Sequence, residues 1–185
     1  MIYFVRHGES EENAYLKRGG VRVFEEHYNT PLTETGKKQA AEAAKRLKGV
    51  NIDVIVTSGL ERAIQTGEVI NRYHRVPMVV MEDLNEREDR RRSVGSGNDG
   101  WHNSFEFGRE ADPEIERLED FRDRVVRAIE EIRNKYGAED VLIVAHGGVS
   151  HVFRQYFLGE PWEGNIRKVF LDNAEVEEFD FGGRK

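Results

Sequence analysis

The sequence contains no cysteine, and this absence excludes several classes of site at once. A chain without thiols cannot form disulfides, cysteine-ligated zinc sites or iron–sulfur clusters, and it cannot use a cysteine nucleophile. Positive charge is also scarce: 28 Lys and Arg residues against 35 Asp and Glu residues give a formal net charge of −7. General DNA or RNA binding requires a basic face, so we expect no nucleic-acid partner.

Long apolar runs are missing as well. No stretch approaches the roughly 18 apolar residues that a transmembrane helix needs, so no membrane segment is expected. The chain enters a short apolar run, residues 2–5, without a basic leader, which argues against a signal peptide. The length of 185 residues fits one domain that can bury a core. These features predict a single-domain, cytoplasmic protein, residues 1–185, with no membrane partner.

Short apolar runs predict the strands of a sheet. Three of them lack polar alternation, which is typical of strands covered on both faces. These runs are residues 2–5, 54–56 and 141–145. Residues 76–81, with Pro77 near the start, form a fourth candidate strand. Residues 169–171 and 176–181 are candidates for edge strands.

Helical patterns lie between the apolar runs. Apolar residues recur at helical spacing in residues 33–49, more loosely in 63–70, and most clearly after Pro113 up to Gly137. A further helix is expected to follow Gly147 and Gly148. Strands that alternate with helices predict a mostly parallel sheet. The predicted fold class is therefore α/β, a three-layer α/β/α sandwich with a mostly parallel central sheet.

Residues 82–112 fit neither pattern. The stretch is polar, rich in Gly, Arg and acidic residues, and it contains Trp101, Phe105 and Phe107. A loop of this length is uncommon unless it has a function or lacks order. We interpret it as a lid or cap insertion over the site and not as a second domain.

Cationic or imidazole side chains lie beyond the ends of three of the predicted strands. They are Arg6 and His7 after the first strand, Arg62 after the second, and His146 after residues 141–145. Open α/β sheets place ligands beyond the carboxyl ends of their strands, and glycine-rich helix entries favour anions. The alternative is that these are separate surface groups. Their shared position favours a phosphate pocket.

Four sequence motifs follow one another along the chain. They are Arg6-His7-Gly8-Glu9-Ser10 with Asn13, Pro31-Leu32-Thr33-Glu34-Thr35-Gly36-Lys37-Lys38-Gln39-Ala40, the segment from Thr57-Ser58 to Gln65-Thr66, and Ala145-His146-Gly147-Gly148. In order and spacing these motifs resemble the histidine phosphatase superfamily, in its phosphoglycerate mutase-like branch. The resemblance spans residues 2–148, and Asn173 begins a segment similar to the family's terminal strand. A single Arg-His-Gly would mean little, whereas four ordered motifs are specific.

The resemblance implies that His7 is the nucleophile and takes up the phosphoryl group as phosphohistidine. It also implies that Arg6, Arg62 and His146 hold the phosphoryl oxygens, consistent with the electrostatic demands of phosphoryl transfer. His7 must present a neutral ring nitrogen to phosphorus, so we expect its other nitrogen to donate a hydrogen bond, for example to a carbonyl. No metal ion or other cofactor is expected, since two arginines and a histidine take the place of an ion.

The general acid is expected on the predicted lid segment. Residues 84–87 resemble the family block that supplies a glutamate to protonate the leaving oxygen, which makes Glu86 the candidate. The alternative is a solvent-facing glutamate in a charged loop. Asn13 and Ser58 are candidates for further hydrogen bonds to the phosphoryl group, and Glu9 is expected to orient the loop.

Two further features near the expected site leave alternatives open. The arginines within residues 87–92 could form a second anionic subsite, but interleaved Glu88 and Asp89 make a solvated surface patch equally consistent. His27 and Tyr28 are candidates for the pocket mouth.

Departures from the mutase pattern favour a phosphatase. Mutases of the family follow their Leu-Asn-Glu-Arg block with a Tyr-Gly pattern, whereas this chain continues with residues 88–93 of a different composition and is shorter. The predicted function is a metal-independent phosphatase for small-molecule phosphomonoesters. The alternatives are a cofactor-dependent phosphoglycerate mutase, a phosphoprotein phosphatase and a non-catalytic phosphate-binding scaffold. A homodimer that pairs through residues 176–181 is compatible with the sequence but not required by it.

Overall fold

The computed structural model describes residues 1–21, 23–90, 113–162 and 170–181 of the chain. Within these residues the strands are β1 Ile2–Arg6, β2 Val54–Thr57, β3 Met78–Val80, β4 Val141–Ala145 and β5 Val176–Phe179. The α-helices are α1 Glu11–Lys17, α2 Phe24–His27, α3 Glu34–Leu47, α4 Glu61–His74, α5 Leu118–Tyr136 and α6 Gly147–Leu158. No helix of the described residues is long and apolar enough to span a membrane.

The five strands form one sheet in the order β3-β2-β4-β1-β5. The pairs β2–β3, β2–β4 and β1–β4 are parallel, and β5 runs antiparallel to β1. Arg6 pairs with Ala145 and Thr57 pairs with Val144, at the carboxyl ends of their strands. The ends of β1, β2 and β4 therefore lie side by side at one edge of the sheet.

Helices cover both faces of the sheet. Successive side chains of a strand point to opposite faces, so Ile143 packs in one cluster with α5 and α6, while Leu142 and Val144 pack in another with α3 and α4. All three side chains are fully buried. Burial of a side chain of this size stabilises the fold by about 1.5–3 kcal/mol. The predicted α/β class with a mostly parallel sheet is confirmed, and its layers are those of an α/β/α sandwich.

The helix predicted after Pro113 begins only at Leu118. Residues 114–116 instead run alongside residues 88–90: the Arg90 amide donates to the Glu114 carbonyl at 2.7 Å, and the Glu116 amide donates to the Glu88 carbonyl at 2.9 Å. These long-range backbone hydrogen bonds keep the chain extended where the local pattern allows a helix. The first turn of α5 is therefore displaced, while its end before Gly137 agrees with the prediction.

The edge-strand predictions had different outcomes. Residues 176–181 contain β5, whereas Phe170 and Leu171 lie outside any strand, so the candidate strand 169–171 is wrong over its described part. The short helices α1 and α2 were not predicted. Of the predicted lid, residues 91–112 lie outside the described residues, and the lid stays a prediction.

Candidate active site

Two imidazole rings meet at the edge where β1 and β4 end. His7 directly follows β1, and His146 follows β4 and caps the amino end of α6. The ring centroids are 5.0 Å apart, and both side chains are buried. The parallel pairing of β1 with β4 brings them together, because it places both strand ends at the same level.

The His7 ring is held in one orientation. Its Nδ1 lies 2.7 Å from the Gly8 carbonyl oxygen, which can only accept, so Nδ1 carries the hydrogen. The lone pair is therefore on Nε2, and the Arg62 Nε donates to it at 3.2 Å. Burial, followed by the charges of Arg62 and Arg6, holds the pKa of His7 well below its ordinary value of 6.5. The ring is neutral at physiological pH, with the donor nitrogen on a carbonyl as expected.

The loop after His7 is fixed by close backbone approach. A Cβ on Gly8 would lie 2.4 Å from the Gly36 carbonyl oxygen, so no larger residue fits there. The Gly8 amide donates to the Thr66 hydroxyl at 3.1 Å. The Glu9 carboxylate pairs with the Lys17 ammonium at 2.7 Å, in keeping with the orienting role expected for it. The backbone that follows the nucleophile candidate is thus anchored.

Two buried or half-buried guanidinium groups face this ring. Arg62 lies in the first turn of α4, is 2% exposed, and donates through Nη1 to the Tyr28 carbonyl at 2.5 Å. Arg6 ends β1 and donates through Nη1 to the Leu171 carbonyl at 2.5 Å. The Arg6 Nε is buried and has no hydrogen-bond partner within the part of the chain that is described. Such a donor requires an acceptor, and a phosphoryl oxygen supplies one.

His146 is oriented by a hydroxyl. Its Nε2 lies 2.7 Å from the Ser58 Oγ, and that oxygen accepts from the Leu60 amide at 3.3 Å. The Ser58 hydrogen is then available for Nε2, and in that tautomer the ring hydrogen of His146 is on Nδ1. Nδ1 is buried without a partner among the described residues. Burial and the Arg62 charge lower the pKa of His146 well below 6.5, so it is a neutral donor.

Ser58 and Asn13 are each held by hydrogen bonds to other residues of the site, and their contacts to a phosphoryl group stay predictions. Ser58 contacts His146. The Asn13 Oδ1 accepts from the Ser10 backbone amide at 3.2 Å, as part of the cap of α1, and from the side-chain Nδ2 of Asn173 at 3.3 Å. The Asn173 Nδ2 also donates to the His7 carbonyl at 3.0 Å. Sequence reasoning missed this supporting role of Asn173, and no local pattern indicates it.

Glu86 is not solvent-facing, so that alternative is wrong. The side chain is 7% exposed. Its carboxylate accepts from the Gly148 amide and the Arg87 amide, each at 3.0 Å. A Cβ on Gly148 would lie 2.4 Å from Glu86 Oε1, so the glycine makes this approach possible. The carboxyl group thus lies at the amino end of α6, next to His146.

Tyr28 connects Glu86 to Arg62. The sequence indicated Tyr28 only as a candidate for the pocket mouth. Its hydroxyl donates to the Glu86 carbonyl at 2.8 Å, and its own carbonyl accepts from Arg62. Burial raises the pKa of the Tyr28 phenol, so it stays a donor. The neighbouring His27 ring instead contacts Val23 and stacks on Tyr15.

The arginines after Glu86 are engaged elsewhere. Arg87 is buried, and its Nε donates to the Glu116 carbonyl at 2.6 Å. Arg90 is exposed and pairs with Glu88 at 2.6 Å, as in the surface-patch alternative. The rest of the tract lies outside the described residues. In the described ranges, no group of three or more acidic or histidine side chains is placed to hold a metal ion.

The chain is similar to known proteins over nearly its whole length. The family model of the histidine phosphatase superfamily (branch 1) matches residues 2–185. The chain is 32% identical over 184 residues to the "Uncharacterized phosphatase PhoE" of Bacillus subtilis (strain 168), a match that covers 100% of this chain and 90% of that protein. It is 30% identical over 188 residues to the "Probable phosphoglycerate mutase GpmB" of Photorhabdus laumondii subsp. laumondii, which covers 97% of this chain and 84% of that protein.

A solved structure has the same fold. The protein named "Bacillus stearothermophilus YhfR" superposes with a TM-score of 0.79 at 27% sequence identity. The superposition covers 98% of this chain and 92% of that chain.

Proposed function

The chain belongs to the histidine phosphatase superfamily, branch 1, a family of phosphatases and mutases, and on that premise we propose a specific reaction for it. The protein hydrolyses small-molecule phosphomonoesters through a phosphohistidine on His7, with Glu86 as general acid. The observation that carries this proposal is the state of His7: a buried, neutral ring with its hydrogen on Nδ1 and its lone pair on Nε2 beside Arg62.

The reaction has two displacements at phosphorus. In the first, His7 Nε2 forms a bond to phosphorus while the bond to the ester oxygen breaks, and protonated Glu86 gives its proton to the departing alcohol. In the second, the Glu86 carboxylate takes a proton from water as the water oxygen attacks phosphorus. The phosphorus–nitrogen bond then breaks, which returns neutral His7, protonated Glu86 and inorganic phosphate.

Three donors support this proposal as the groups that would hold the phosphoryl oxygens. They are the Arg62 guanidinium, the Arg6 Nε and the His146 Nδ1, and the last two are buried polar atoms without a partner among the described residues. Preorganised donors of this kind each contribute on the order of 10²–10³ in rate. We propose that they make a metal ion unnecessary, so turnover should survive a chelator.

The central test is to identify the phosphoenzyme. The protein is incubated with a ³²P-labelled phosphomonoester and quenched. Phosphohistidine is labile to acid and stable to alkali, so the label should be lost in acid, survive alkali and map to the peptide that contains His7. A label stable to acid, or label on another peptide, would overturn the proposed nucleophile. Absence of both label and phosphate release from p-nitrophenyl phosphate would leave the non-catalytic scaffold as the better account.

A mutase is the second candidate, because the chain is similar to a protein named as a phosphoglycerate mutase. The test is incubation with 3-phosphoglycerate and a trace of 2,3-bisphosphoglycerate. A phosphatase releases inorganic phosphate, whereas formation of 2-phosphoglycerate without phosphate release would favour the mutase. A substrate panel that includes phosphopeptides tests the phosphoprotein alternative. The cytoplasmic location, the homodimer and the absence of a nucleic-acid partner stay predictions from the sequence.

A further inference from the structure

Glu86 lies on a segment that other elements hold through their side chains. Residues Glu82–Leu84 form a three-residue 3₁₀ helix, and short helices of this kind have poor hydrogen-bond geometry of their own. The carbonyl groups of Asp83 and Asn85 both accept from one side chain of α5, and the Glu86 carbonyl accepts from Tyr28. The place of the segment therefore depends on these contacts, together with the hydrogen bond from the Met81 amide to the Thr57 carbonyl and the burial of Leu84 in the core.

The α5 side chain is Arg124. Its Nη1 donates to the Asp83 carbonyl at 2.8 Å and to the Asn85 carbonyl at 2.9 Å. Its Nε and Nη2 donate to the two oxygens of the Glu116 carboxylate, at 2.9 and 2.8 Å. The guanidinium also lies 5.1 Å from the centre of the Phe121 ring. Because the fork is held on its other side, Nη1 is fixed where the two carbonyls meet.

We propose that Arg124 is a positioning residue for Glu86, and that it sets how far the Glu86 carboxyl reaches toward the amino end of α6. This inference rests on the proposed function. The Asn85 carbonyl belongs to the peptide group that leads directly into Glu86, so loss of its donor releases the acid's own backbone. The Glu86 carboxyl group packs closely against Gly148, where there is no space for even a Cβ. A small shift of the segment therefore changes this contact.

The expected effect is only on the step in which Glu86 protonates the leaving group. A general acid must lie within about 2.6–3.2 Å of the atom that it protonates, and a 1 Å misplacement can cost roughly 10²-fold in rate. An alkoxide departs slowly without a proton, whereas p-nitrophenolate is a stabilised leaving group and departs without one. A misplaced acid therefore slows alkyl phosphates more than p-nitrophenyl phosphate. A general loss of structure slows both substrates equally.

The experiment compares kcat/KM for glycerol 3-phosphate and p-nitrophenyl phosphate, because kcat/KM reports the step that forms phosphohistidine. In Arg124→Met we expect the loss on the alkyl substrate to exceed that on the aryl substrate by about tenfold or more. Glu86→Gln should show the same difference, and larger. Arg124→Lys should recover part of the loss, because an ammonium can reach one carbonyl but lacks the fork. Arg127→Met, at an exposed position of the same helix, is the matched control and should match the parent.

The double variant provides the decisive comparison. If Arg124 acts through Glu86, then Arg124→Met in the Glu86→Gln background adds little further loss on the alkyl substrate. Equal losses on both substrates, or full additivity in the double variant, would overturn the proposal. If Arg124→Met does not fold, Glu116→Gln loosens the same fork with nearly the same shape. Glu116→Gln should also lose more activity on the alkyl than on the aryl substrate, by a smaller margin. If the two losses are equal, this counts against the proposal.

The failure of this inference differs from failure of the proposed function. If Glu86→Gln shows no difference between the two substrates, Glu86 is not the acid and the proposed mechanism is wrong. If Glu86→Gln shows the difference and Arg124→Met does not, only the positioning role is wrong.

Discussion

The candidate site has two sides that are held by different parts of the structure. The phosphate side consists of the residues around His7, Arg62 and His146, and the leaving-group side is the segment around Glu86. On the phosphate side, backbone hydrogen bonds extend the sheet: the His7 amide donates to the Ala145 carbonyl at 2.9 Å, and the Ser58 amide donates to the Val144 carbonyl at 3.1 Å. On the leaving-group side, the carbonyl groups next to Glu86 accept from the side chains of Arg124 and Tyr28. The phosphate side is thus part of the sheet, while the leaving-group side is attached to it.

This difference has an energetic consequence. The sheet-held residues can move only if the buried core moves, and removal of a single core side chain typically costs 2–5 kcal/mol. A side-chain hydrogen bond typically contributes only about 0.5–1.5 kcal/mol, and somewhat more where a charge takes part. We therefore expect substitutions on the phosphate side to abolish the reaction, and those on the leaving-group side to reduce it by graded amounts that depend on the substrate.

The largest effect is expected from His7→Ala, which removes the nucleophile from the phosphate side. Turnover of both aryl and alkyl phosphates should fall on the order of 10⁴-fold or more, since removal of a covalent nucleophile leaves only binding and electrostatic stabilisation. Steady-state phosphate release measures this loss. His74→Ala, at the far end of α4, is the control and should retain parental rates. Residual activity within tenfold of the parent would refute the role of His7.

Arg62→Met should reduce kcat/KM by roughly 10²–10³-fold for both kinds of substrate, because it removes a donor to the phosphoryl group. It should also change the pH profile. Neutral His7 is required for attack, so activity is lost as the pH falls through its pKa, which the Arg62 charge helps to hold well below 6.5. Without that charge the pKa of His7 rises, and the acid limb moves to higher pH.

Two variants serve as controls for the pH profile. Arg62→Lys keeps the charge and should leave the acid limb in place even though the rate falls. Arg72→Met removes an exposed charge from the same helix and should change neither property. Ionisation of the substrate is common to all variants, so a difference between their pH profiles reports ionisation of the protein. An acid limb that stays fixed or moves to lower pH in Arg62→Met would contradict the prediction.

Gly148→Ala tests the junction between the two sides. The new methyl group would lie within 2.4 Å of Glu86 Oε1, so the carboxyl group must move away from α6. We expect about 10²-fold loss of kcat/KM on glycerol 3-phosphate, with p-nitrophenyl phosphate much less affected. Gly49→Ala is a matched control, because a Cβ there meets no atom within 4 Å. Losses of equal size on the two substrates would show that Gly148→Ala does not act through the Glu86 carboxyl group alone.

Tyr28→Phe should have the smallest effect, because it removes a single hydroxyl donor from the Glu86 carbonyl. A typical hydrogen bond of about 0.5–1.5 kcal/mol corresponds to a roughly two- to tenfold loss of kcat/KM on an alkyl phosphate. The Tyr28 carbonyl that accepts from Arg62 is unchanged, so the acid limb of the pH profile should stay in place. A shifted acid limb would mean that the phenol supports the phosphate side as well.

The sequence by itself predicted the parts of the site that follow from local pattern. Apolar runs placed β1, β2 and β4. His7 and His146 follow β1 and β4 directly, and Arg62 lies beyond β2 in the first turn of α4. Because parallel strands end at the same edge of a sheet, a correct strand prediction is enough to bring such residues together. The helix after Pro113 shows the limit: residues 114–116 are extended because they pair with residues 88–90, which no local pattern encodes.

How the site residues contact one another depends on the packing of the helices on the sheet. Glu86 meets the Gly148 amide across 62 residues of sequence, and Arg124 meets the Asp83 carbonyl across 41. The ring hydrogen of His146 is set by Ser58, 88 residues away. A hydrogen bond depends on distances of a few tenths of an ångström, which are set by how the helices pack on the sheet and not by the order of residues. The sequence thus indicated the candidate catalytic residues. The packing determined which of their atoms donate and accept, and it added the supporting contacts of Asn173 and Arg124.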